Sequence, residues 1–406
     1  MRSALVDIAD PDLYVEAVPH DRFRRLRDEQ PLSFHEEENG AGFWAVVRYQ
    51  DVIDVGRDWR TFSSAQGSTL EELDEDQLAV RRSMLDLDPP AHTRLRRLVT
   101  PGFTPRVVRS YQQAFRLLTR EVLDGAFAKG SFDLVTEISK YLPVVWLCRH
   151  LGVPESDADK LIEWTDRMLG QSDPEYRENQ RDERSRYAPF GTIAGLEAYE
   201  YAAEWAAERR ARPVDDVMTT ILMAEPDGEP LSDEEFKNFF TVLMIAGQEA
   251  SRHSISHGVL ALMQHPNQLD RLTAEPSVMA TAVEEIVRWA SPIYQFRRTA
   301  TADVAMHGET IRAGDKVTVW YVSANFDERV FDSPEVFDIT RSPNEHVAFG
   351  KGGPHFCLGA GLARLQVQIA FEELAPRLRS LHLSGPVERL RSNFIHGIKH
   401  LPVTVR

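Results

Sequence analysis

The chain has 406 residues, of which 42% are hydrophobic and 27% are charged, a composition typical of a globular protein with a large core. Acidic residues outnumber basic residues by 63 to 47, so nucleic acid, which requires a basic surface, is not an expected partner. The sequence shows neither a long apolar run nor a signal-peptide pattern, which favours a cytoplasmic protein without a membrane anchor.

Helical periodicity dominates the chain, and strand-like alternation is confined to two regions. In chain order, the sequence predicts a strand over 42–47, helices over 107–128, 156–169, 193–212, 232–265 and 277–289, strands within 296–322, and a last helix over 358–379. Ser232 and Glu235 form a predicted capping box at the start of the longest helix. The predicted fold class is therefore mainly α with a smaller β part.

Two polar segments, residues 67–77 and 170–191, interrupt this pattern. Both are rich in charged residues and are not expected to bury apolar area, so we predict mobile surface loops near 67–85 and 170–191. The chain has no linker-like stretch rich in serine, glycine or proline and no internal repeat. We expect a single large domain over residues 1–406 and a monomeric protein.

The two cysteines, Cys148 and Cys357, lie far apart and lack the spacing of a zinc cluster or a disulfide framework. Cys357 follows the glycine-rich run FGKGGPHFCLG and precedes a predicted helix. At a helix N-terminus, free N–H groups and the helix dipole stabilise a thiolate, and glycines let the backbone fold close around the sulfur. Two interpretations stay open at this point: a metal-binding thiolate, or a buried structural cysteine beside a turn.

The longer run FGKGGPHFCLGAGLAR resembles the haem-binding loop of the cytochrome P450 family. The resemblance implies the cytochrome P450 fold around a buried haem b, with Cys357 as the axial ligand of the iron. A thiolate in this place pushes electron density toward the iron and favours O–O cleavage. Phe349 lies eight residues before Cys357, one more than the commonest family spacing, so we expect a slightly wider loop.

Further motifs resemble the same family in the same order. Glu285 and Arg288, spaced i, i+3, resemble its structural ExxR motif, although such a pair taken alone is more often a surface ion pair. His92 and Arg96 resemble the pair that reaches a haem propionate. The resemblance implies two more propionate donors, Arg298 and His355, with the neighbouring Arg297 left open as an alternative to Arg298.

The stretch from Ala246 to Ser251, AGQEAS, resembles the oxygen-activating motif of the family, A-G-x-[ED]-T. By this resemblance Ala246 and Gly247 leave space for dioxygen beside the haem, and Glu249 helps to bring protons. Ala250 replaces the family's threonine and has no hydroxyl. The proton route is therefore expected to use Ser251, a water held by Glu249, or a hydroxyl of the substrate.

The reaction implied by the resemblance is monooxygenation of a C–H bond with dioxygen and two electrons. No GxGxxG motif for a nicotinamide or flavin precedes a helix, so a separate ferredoxin and ferredoxin reductase are the expected electron donors. Family topology places six basic residues on the cysteine side of the haem, where they would attract an acidic ferredoxin: Arg94, Arg97, Arg106, Arg109, Lys351 and Arg364. Scattered surface arginines are the alternative interpretation.

Family topology also predicts the lining of the substrate cavity: Ile245, Ala246, Ala250, Ile293, Tyr294, Phe296, Phe394 and Ile395. This set is mostly apolar and favours a lipid, steroid, terpenoid or polyketide-like substrate. The sequence resembles family members that oxidise sterols and branched lipids. Two alternatives remain: a haem-thiolate enzyme for peroxide-driven oxidation, desaturation or coupling, and a haem-binding sensor without catalysis.

Overall fold

The computed structural model describes residues 6–37, 40–180, 182–214, 216–225 and 231–406. Its helices, in chain order, are α1 (His20–Glu29), α2 (Tyr49–Arg57), α3 (Glu75–Arg81), α4 (Ala91–Val99), α5 (Pro105–Ser110), α6 (Gln112–Ala128), α7 (Tyr141–Leu151), α8 (Ala158–Leu169), α9 (Ile193–Ala211), α10 (Val217–Leu222), α11 (Asp233–Gln264), α12 (Pro266–Ala274), α13 (Met279–Ala290), α14 (Tyr321–Ala324) and α15 (Ala360–Leu378).

Its strands are β1 (Leu32–His35), β2 (Phe43–Val46), β3 (Phe62–Ser63), β4 (Ser131–Asp133), β5 (Gln295–Ala300), β6 (Val304–Met306), β7 (Glu309–Ile311), β8 (Lys316–Trp320), β9 (Leu381–Leu383), β10 (Glu388–Arg389), β11 (Ile398–His400) and β12 (Pro402–Val405). The largest sheet has the order β1-β2-β8-β5-β3, with β2 and β8 parallel and the other pairs antiparallel. The predicted fold class, mainly α with a smaller β part, is confirmed.

Helix α11 organises the largest apolar core. It begins at a capping box, in which the Glu235 N–H donates to Ser232 Oγ at 3.1 Å and the Ser232 N–H donates to the Glu235 carboxylate at 3.0 Å. Along its length α11 packs against α7, α9, α13 and α15. A Cβ at Gly258 would stand 2.5 Å from the ring of Phe371 on α15, so the close approach of these two helices requires glycine there.

Several elements differ from the sequence prediction. The predicted helix 107–128 is two helices, α5 and α6, separated at Tyr111. Helix α7 was not predicted because nine of its eleven residues are buried, so it lacks the amphipathic period that identifies a helix. The region near 67–85 contains α3, and it buries Leu78 and Met84 just after the polar stretch 67–77 ends. The mobility of this region stays a prediction. Segment 170–191 holds only short 3₁₀ turns in its described part.

The ExxR pair is a buried structural element. Glu285 and Arg288 are both 0% exposed, and two hydrogen bonds of 2.8 Å join the guanidinium to the carboxylate. Arg341 Nε donates to the same carboxylate at 3.1 Å, and Arg288 also donates to the carbonyls of Asn325 and Pro334. The pair therefore fastens α13 to the irregular chain that leads to Cys357, and the surface interpretation does not apply.

A buried histidine pair joins α11 to the C-terminal segment. The rings of His257 and His396 have centroids 3.8 Å apart, and His257 Nε2 donates to the His396 carbonyl at 3.0 Å. Burial lowers the pKa of both rings well below the usual value, and the nearby Arg389 lowers each pKa further. Both histidines are therefore neutral in the folded protein.

We expect the free energy of unfolding to fall as the pH drops below about 6.5, because the unfolded chain then takes up protons that the folded histidine pair does not. Each ring contributes a loss of about 1.4 kcal/mol per pH unit below that value. Urea unfolding at several pH values measures the slope. The variant His257→Asn should show a shallower slope than the parent protein, and equal slopes would contradict this account.

Candidate functional site

A cavity lies between α11 and the loop that carries Cys357. Its walls come from α4, α7, α11, β5, the start of α15, and residues from 67–86 and 394–395. Seven of the eight predicted lining residues line it: Ile245, Ala246, Ala250, Ile293, Phe296, Phe394 and Ile395. The eighth, Tyr294, is instead 1% exposed and stacked on His396, because its side chain points from the same short segment into the core.

The cysteine loop is shaped by glycines. The Cys357 N–H donates to the Phe349 carbonyl at 2.9 Å and closes the loop. Gly350 and Gly352 have φ values of 70° and 78°, in the left-handed region that favours glycine. A Cβ at Gly353 would stand 1.9 Å from the carbonyl oxygen of Gly56, so the loop lies directly on the backbone of α2. The neighbouring Gly352 faces the side chain of Arg57 on the same helix.

The two cysteines have different surroundings. Cys357 lines the cavity, three residues before α15 begins. Burial raises the pKa of its thiol, while the Gly359 N–H and the nearby arginines Arg96 and Arg364 lower it. The backbone N–H predicted to stabilise a thiolate at this helix start is thus present at Gly359. A metal ion bound to a thiol removes the proton of the thiol outright. Cys148 is 0% exposed, and burial raises its pKa to about 12, which marks it as an inert core residue.

Four basic side chains converge on the cavity beside the cysteine: His92, Arg96, Arg298 and His355. The rings of His92 and His355 lie with centroids 4.5 Å apart. Burial and the adjacent positive groups, Arg298 first, lower the pKa of His355 to about 2. Across the described ranges, no hydrogen bond or ion pair joins any of the four to a carboxylate. The cluster is therefore suited to an anionic group that enters the cavity.

The hydrogen bonds of this cluster distinguish its members. Both ring nitrogens of His92 are buried without a partner in the described part of the chain, an arrangement that is costly unless a ligand supplies one. Arg96 donates to the carbonyls of Pro354 and Phe356 at 3.2 and 2.6 Å, so it also supports the cysteine loop. Arg298 lines the cavity, whereas its neighbour Arg297 donates to the backbone of segment 67–85.

Haem fits these residues. A Cβ at Gly359 would meet nothing within 4 Å, so the wall next to Cys357 is open to a flat group. The thiol lies on the same wall, and the unpaired ring N–H of His92 matches a carboxylate of a porphyrin. This combination of a cysteine at a helix start, a cavity and a carboxylate-binding cluster defines a haem-thiolate protein.

Helix α11 forms the opposite wall of the cavity. Ala246 and Ala250 line it with small apolar side chains. Gly247 has an additional role in packing, because a Cβ there would stand 2.5 Å from a methyl group of Leu147 on α7. The small size of Gly247 thus serves the contact between α7 and α11, which the sequence did not predict.

Glu249 is the inner end of a buried chain of charged groups. Its carboxylate accepts hydrogen bonds from His253 Nε2 at 2.7 Å and from Arg252 Nη1 at 3.2 Å. Arg252 also donates to Asp166 at 2.6 Å, and Lys140 donates to the same aspartate at 2.6 Å. Burial raises the pKa of Glu249, but Arg252 and His253 outweigh it and bring the pKa to about 2. Glu249 is therefore ionised at neutral pH.

Two serine hydroxyls line the cavity near Ala250. Ser251 Oγ donates to Gln366 Oε1 on α15 at 2.6 Å. Ser254 Oγ donates to the Ala250 carbonyl at 2.8 Å. The sequence analysis missed Ser254, although a hydroxyl four residues after Ala250 lies one turn further along the same helix face. Gln366 Nε2 is buried without a partner.

The predicted basic surface is smaller than expected. Three of its six residues are exposed: Arg97, Arg106 and Arg109. The other three donate to carboxylates within the chain: Arg94 to Glu235 at 2.7 Å, Lys351 to Glu345 at 2.5 Å and Arg364 to Glu284 at 2.6 Å. The charge available to a partner is therefore concentrated on the segment from α4 to α5.

Known proteins are similar to this chain in architecture and sequence. The family model for cytochrome P450 matches residues 198–386. The chain is 36% identical over 408 residues to a steroid C26-monooxygenase of Mycolicibacterium smegmatis, covering 98% of this chain and 93% of that protein. It is 40% identical over 392 residues to a methyl-branched lipid omega-hydroxylase of Mycobacterium tuberculosis, covering 94% and 90%.

A solved cytochrome P450 of Mycobacterium marinum, in complex with pseudoionone, has a TM-score of 0.91 and 37% identity to this chain, covering 100% of it and 99% of that structure. The chain belongs to the cytochrome P450 family, and it is a monooxygenase. Within the described ranges, each helix is too short or too polar to span a bilayer.

Proposed function

We propose that this monooxygenase binds haem b through Cys357, hydroxylates a steroid or another neutral branched lipid, and receives electrons from a separate ferredoxin. The observation that carries the proposal is one apolar-walled cavity lined by Cys357 and by four basic side chains without carboxylate partners. When bound, haem supplies the activation of dioxygen and the attack on an unactivated C–H bond. The protein supplies the thiolate, the orientation of the substrate and the protons.

His92, Arg96, Arg298 and His355 are proposed to hold the haem propionates. A carboxylate accepts charge-assisted hydrogen bonds from imidazole and guanidinium donors, which are stronger than neutral ones. His92 carries most weight here, because its ring nitrogens are buried and unpartnered. Arg96 reaches both this cluster and the cysteine loop, so it would couple the position of the thiolate to that of the propionates.

The cavity wall favours a neutral, branched or polycyclic apolar substrate. Ile293, Phe296 and Phe394 provide bulky apolar surface, while Ala246 and Ala250 leave room beside them. Arg81 also lines the cavity, but both oxygens of Glu71 accept from its guanidinium at 2.9 and 2.6 Å. Because this arginine is already paired, it offers little to the carboxylate of a fatty acid. The two relatives, named for a steroid and a methyl-branched lipid, support the same substrate classes.

Optical titration tests this proposal with a sterol, a neutral methyl-branched lipid and a straight-chain fatty acid of similar length. We expect the first two to shift the Soret band and, with a ferredoxin system and labelled dioxygen, to yield a product that carries one labelled oxygen atom. Product formation only with hydrogen peroxide would favour the peroxide-driven alternative. Tight binding without any product would favour a sensor.

Glu249 is proposed to receive protons from an outer pocket. That pocket is lined mainly by charged side chains, among them Asp159, Glu163 and Asp166. Asp166 is 9% exposed at its side chain and is bound to Arg252, which in turn contacts Glu249 on the cavity wall. Arg252 keeps its own protons, so its contacts of 2.6 and 3.2 Å would hold Glu249 in line with the outer pocket, and water would carry the protons to the carboxylate.

The exposed arginines of α4 and α5 are proposed to attract an acidic ferredoxin. Neutralising Arg97 and Arg109 together should reduce ferredoxin-supported turnover, and more at low salt than at about 0.15 M ionic strength, where charges are screened. Peroxide-supported turnover should not change. Arg212→Gln, an exposed arginine just beyond α9, is the control and should have no effect. Equal losses with ferredoxin and with peroxide would instead indicate damage to the haem site.

A further inference from the structure

A buried aromatic cluster lies in the wall that α7 contributes to the cavity. Trp146 and His150, one turn apart on α7, both line the cavity, and their rings are stacked with centroids 5.0 Å apart and an angle of 18°. Tyr111 meets both rings edge-on, with centroid distances of 5.1 and 5.3 Å. Trp146 and His150 are buried, whereas Tyr111 is half-buried. The cluster therefore extends from the cavity toward the surface.

A hydrogen bond joins the outer two members. Tyr111 Oη lies 3.0 Å from His150 Nδ1. Burial lowers the pKa of His150 to about 4 and raises the pKa of Tyr111, so at neutral pH the imidazole is neutral and the phenol keeps its proton. With the ring proton on Nε2, His150 Nδ1 is a free base that accepts the phenolic hydrogen. His150 Nε2 is buried and has no hydrogen-bond partner among the described residues.

This arrangement favours one-electron oxidation of the phenol. Removing an electron from a tyrosine makes its O–H group strongly acidic, and the reaction is easy only where a base within hydrogen-bond distance takes the proton. His150 is such a base, and its ring is buried beside the half-buried Tyr111. The stacked indole of Trp146 provides close electronic contact between this pair and the cavity.

We propose that Tyr111, His150 and Trp146 form a redox-active site that carries oxidising equivalents out of the haem cavity. The inference rests on the proposed function, because bound haem is where the oxidant reacts. The oxidant is hydrogen peroxide, whose O–O bond breaks as it takes up two electrons and two protons to form two water molecules.

Each cycle of the site supplies one of these electrons. Tyr111 loses the electron through Trp146, while its O–H bond breaks and the proton forms an N–H bond at His150 Nδ1. A one-electron donor in solution, such as ascorbate, then reduces the tyrosyl radical, and the proton returns from His150. Two cycles oxidise two equivalents of donor, and water supplies the protons taken up by the peroxide oxygens. The site thereby gives the protein a peroxidase activity toward small donors at its surface.

Such an activity would be useful to this protein because Ala250 lacks the hydroxyl that the family motif carries. Oxidising equivalents that do not reach substrate would otherwise attack the cavity wall. A tyrosine at the outer end of the cluster lets a soluble reductant remove them.

The test is freeze-quench electron paramagnetic resonance of the haem-loaded, substrate-free protein after mixing with hydrogen peroxide. We expect a tyrosyl radical in the parent protein and loss of most of that signal in Tyr111→Phe. The matched control is Tyr201→Phe, which removes a phenol that is hydrogen-bonded to Asp157 and does not line the cavity. Trp146→Phe leaves the Tyr111–His150 bond in place and should slow formation of the same radical. Consumption of ascorbate should follow the radical in every variant.

An unchanged radical in Tyr111→Phe, or no radical in a parent protein with an intact thiolate spectrum, would overturn the inference alone. A parent protein that never shows the thiolate spectrum with haem would overturn the proposed function, and the inference with it.

Discussion

Replacing Cys357 with alanine should abolish the red-shifted Soret band of the reduced, carbon-monoxide-bound protein, whereas Cys148→Ala should retain it. The band reports a thiolate bound to haem iron, and Cys357 is the cysteine that lines the cavity. Cys148 lies on α7 and is 0% exposed, within the hydrophobic core. Absorption spectra of the two purified variants provide the measurement.

Measuring the haem content of the Cys357→Ala variant distinguishes loss of the thiolate ligand from loss of haem itself. The basic cluster is unaltered by this substitution, so some haem should still bind without the diagnostic band. Retention of the band in Cys357→Ala together with its loss in Cys148→Ala would refute the assignment. Cys148→Ala should lower stability slightly, because it leaves a small cavity among buried side chains.

Glu249→Gln should slow substrate oxidation with ferredoxin by about 10²-fold, the effect of losing a positioned proton-transfer group. Glutamine preserves the size of the side chain but removes the charge that Arg252 and His253 hold in place. Asp166→Asn, at the outer end of the same chain, should act in the same direction. Single-turnover rates of product formation and the yield of released peroxide provide the measurement.

The control for charge removal is Glu373→Gln. Glu373 is also a carboxylate whose pKa is lowered by hydrogen bonds, in this case from Arg120 and Arg116, but it does not line the cavity. Its substitution should leave turnover unchanged. If Glu249→Gln and Asp166→Asn left both product and peroxide yields at the parent level, protons would have to enter by another route.

Two further variants test what replaces the hydroxyl of the family's threonine at position 250. Ser251→Ala should raise peroxide release if Ser251, now seen bound to Gln366, takes part in proton delivery, and little change would favour the substrate or bound water. Ala250→Thr should improve coupling with a substrate that has no hydroxyl. With a substrate that supplies its own hydroxyl, the added side chain should lower coupling.

Local sequence located those parts of the site that depend on neighbours in the chain, but the resemblance to the family was needed to interpret two of them. Taken alone, Glu285 and Arg288 favoured a surface ion pair, and Cys357 left a structural cysteine open. The cysteine loop, the buried Glu285–Arg288 pair and the capping box at Ser232 each involve residues within a few positions of one another. Turn glycines, helix periods and capping residues have the same meaning in any fold. This is why these features could be located before the structure was known.

Contacts between distant segments could not be located in this way. Arg252 meets Asp166 across 86 residues and Ser251 meets Gln366 across 115, and no local pattern indicates either partner. Helix α7 is buried on nearly every side, so its sequence carries no amphipathic signal. The surface arginines show the same limit, because the carboxylate that pairs with Arg94 lies 141 residues away.

The backbone contact between α2 and the cysteine loop limits which substitutions this chain can accept during evolution. At Gly56 an added methyl group would stand 3.9 Å from the Lys351 carbonyl, an ordinary contact, so alanine is permissible there. At Gly353 the same methyl group would lie 1.9 Å from the Gly56 oxygen, and any side chain would lift the loop away from α2. Descendants of this sequence should therefore accept alanine at position 56 while position 353 stays fixed as glycine, unless the loop changes its length.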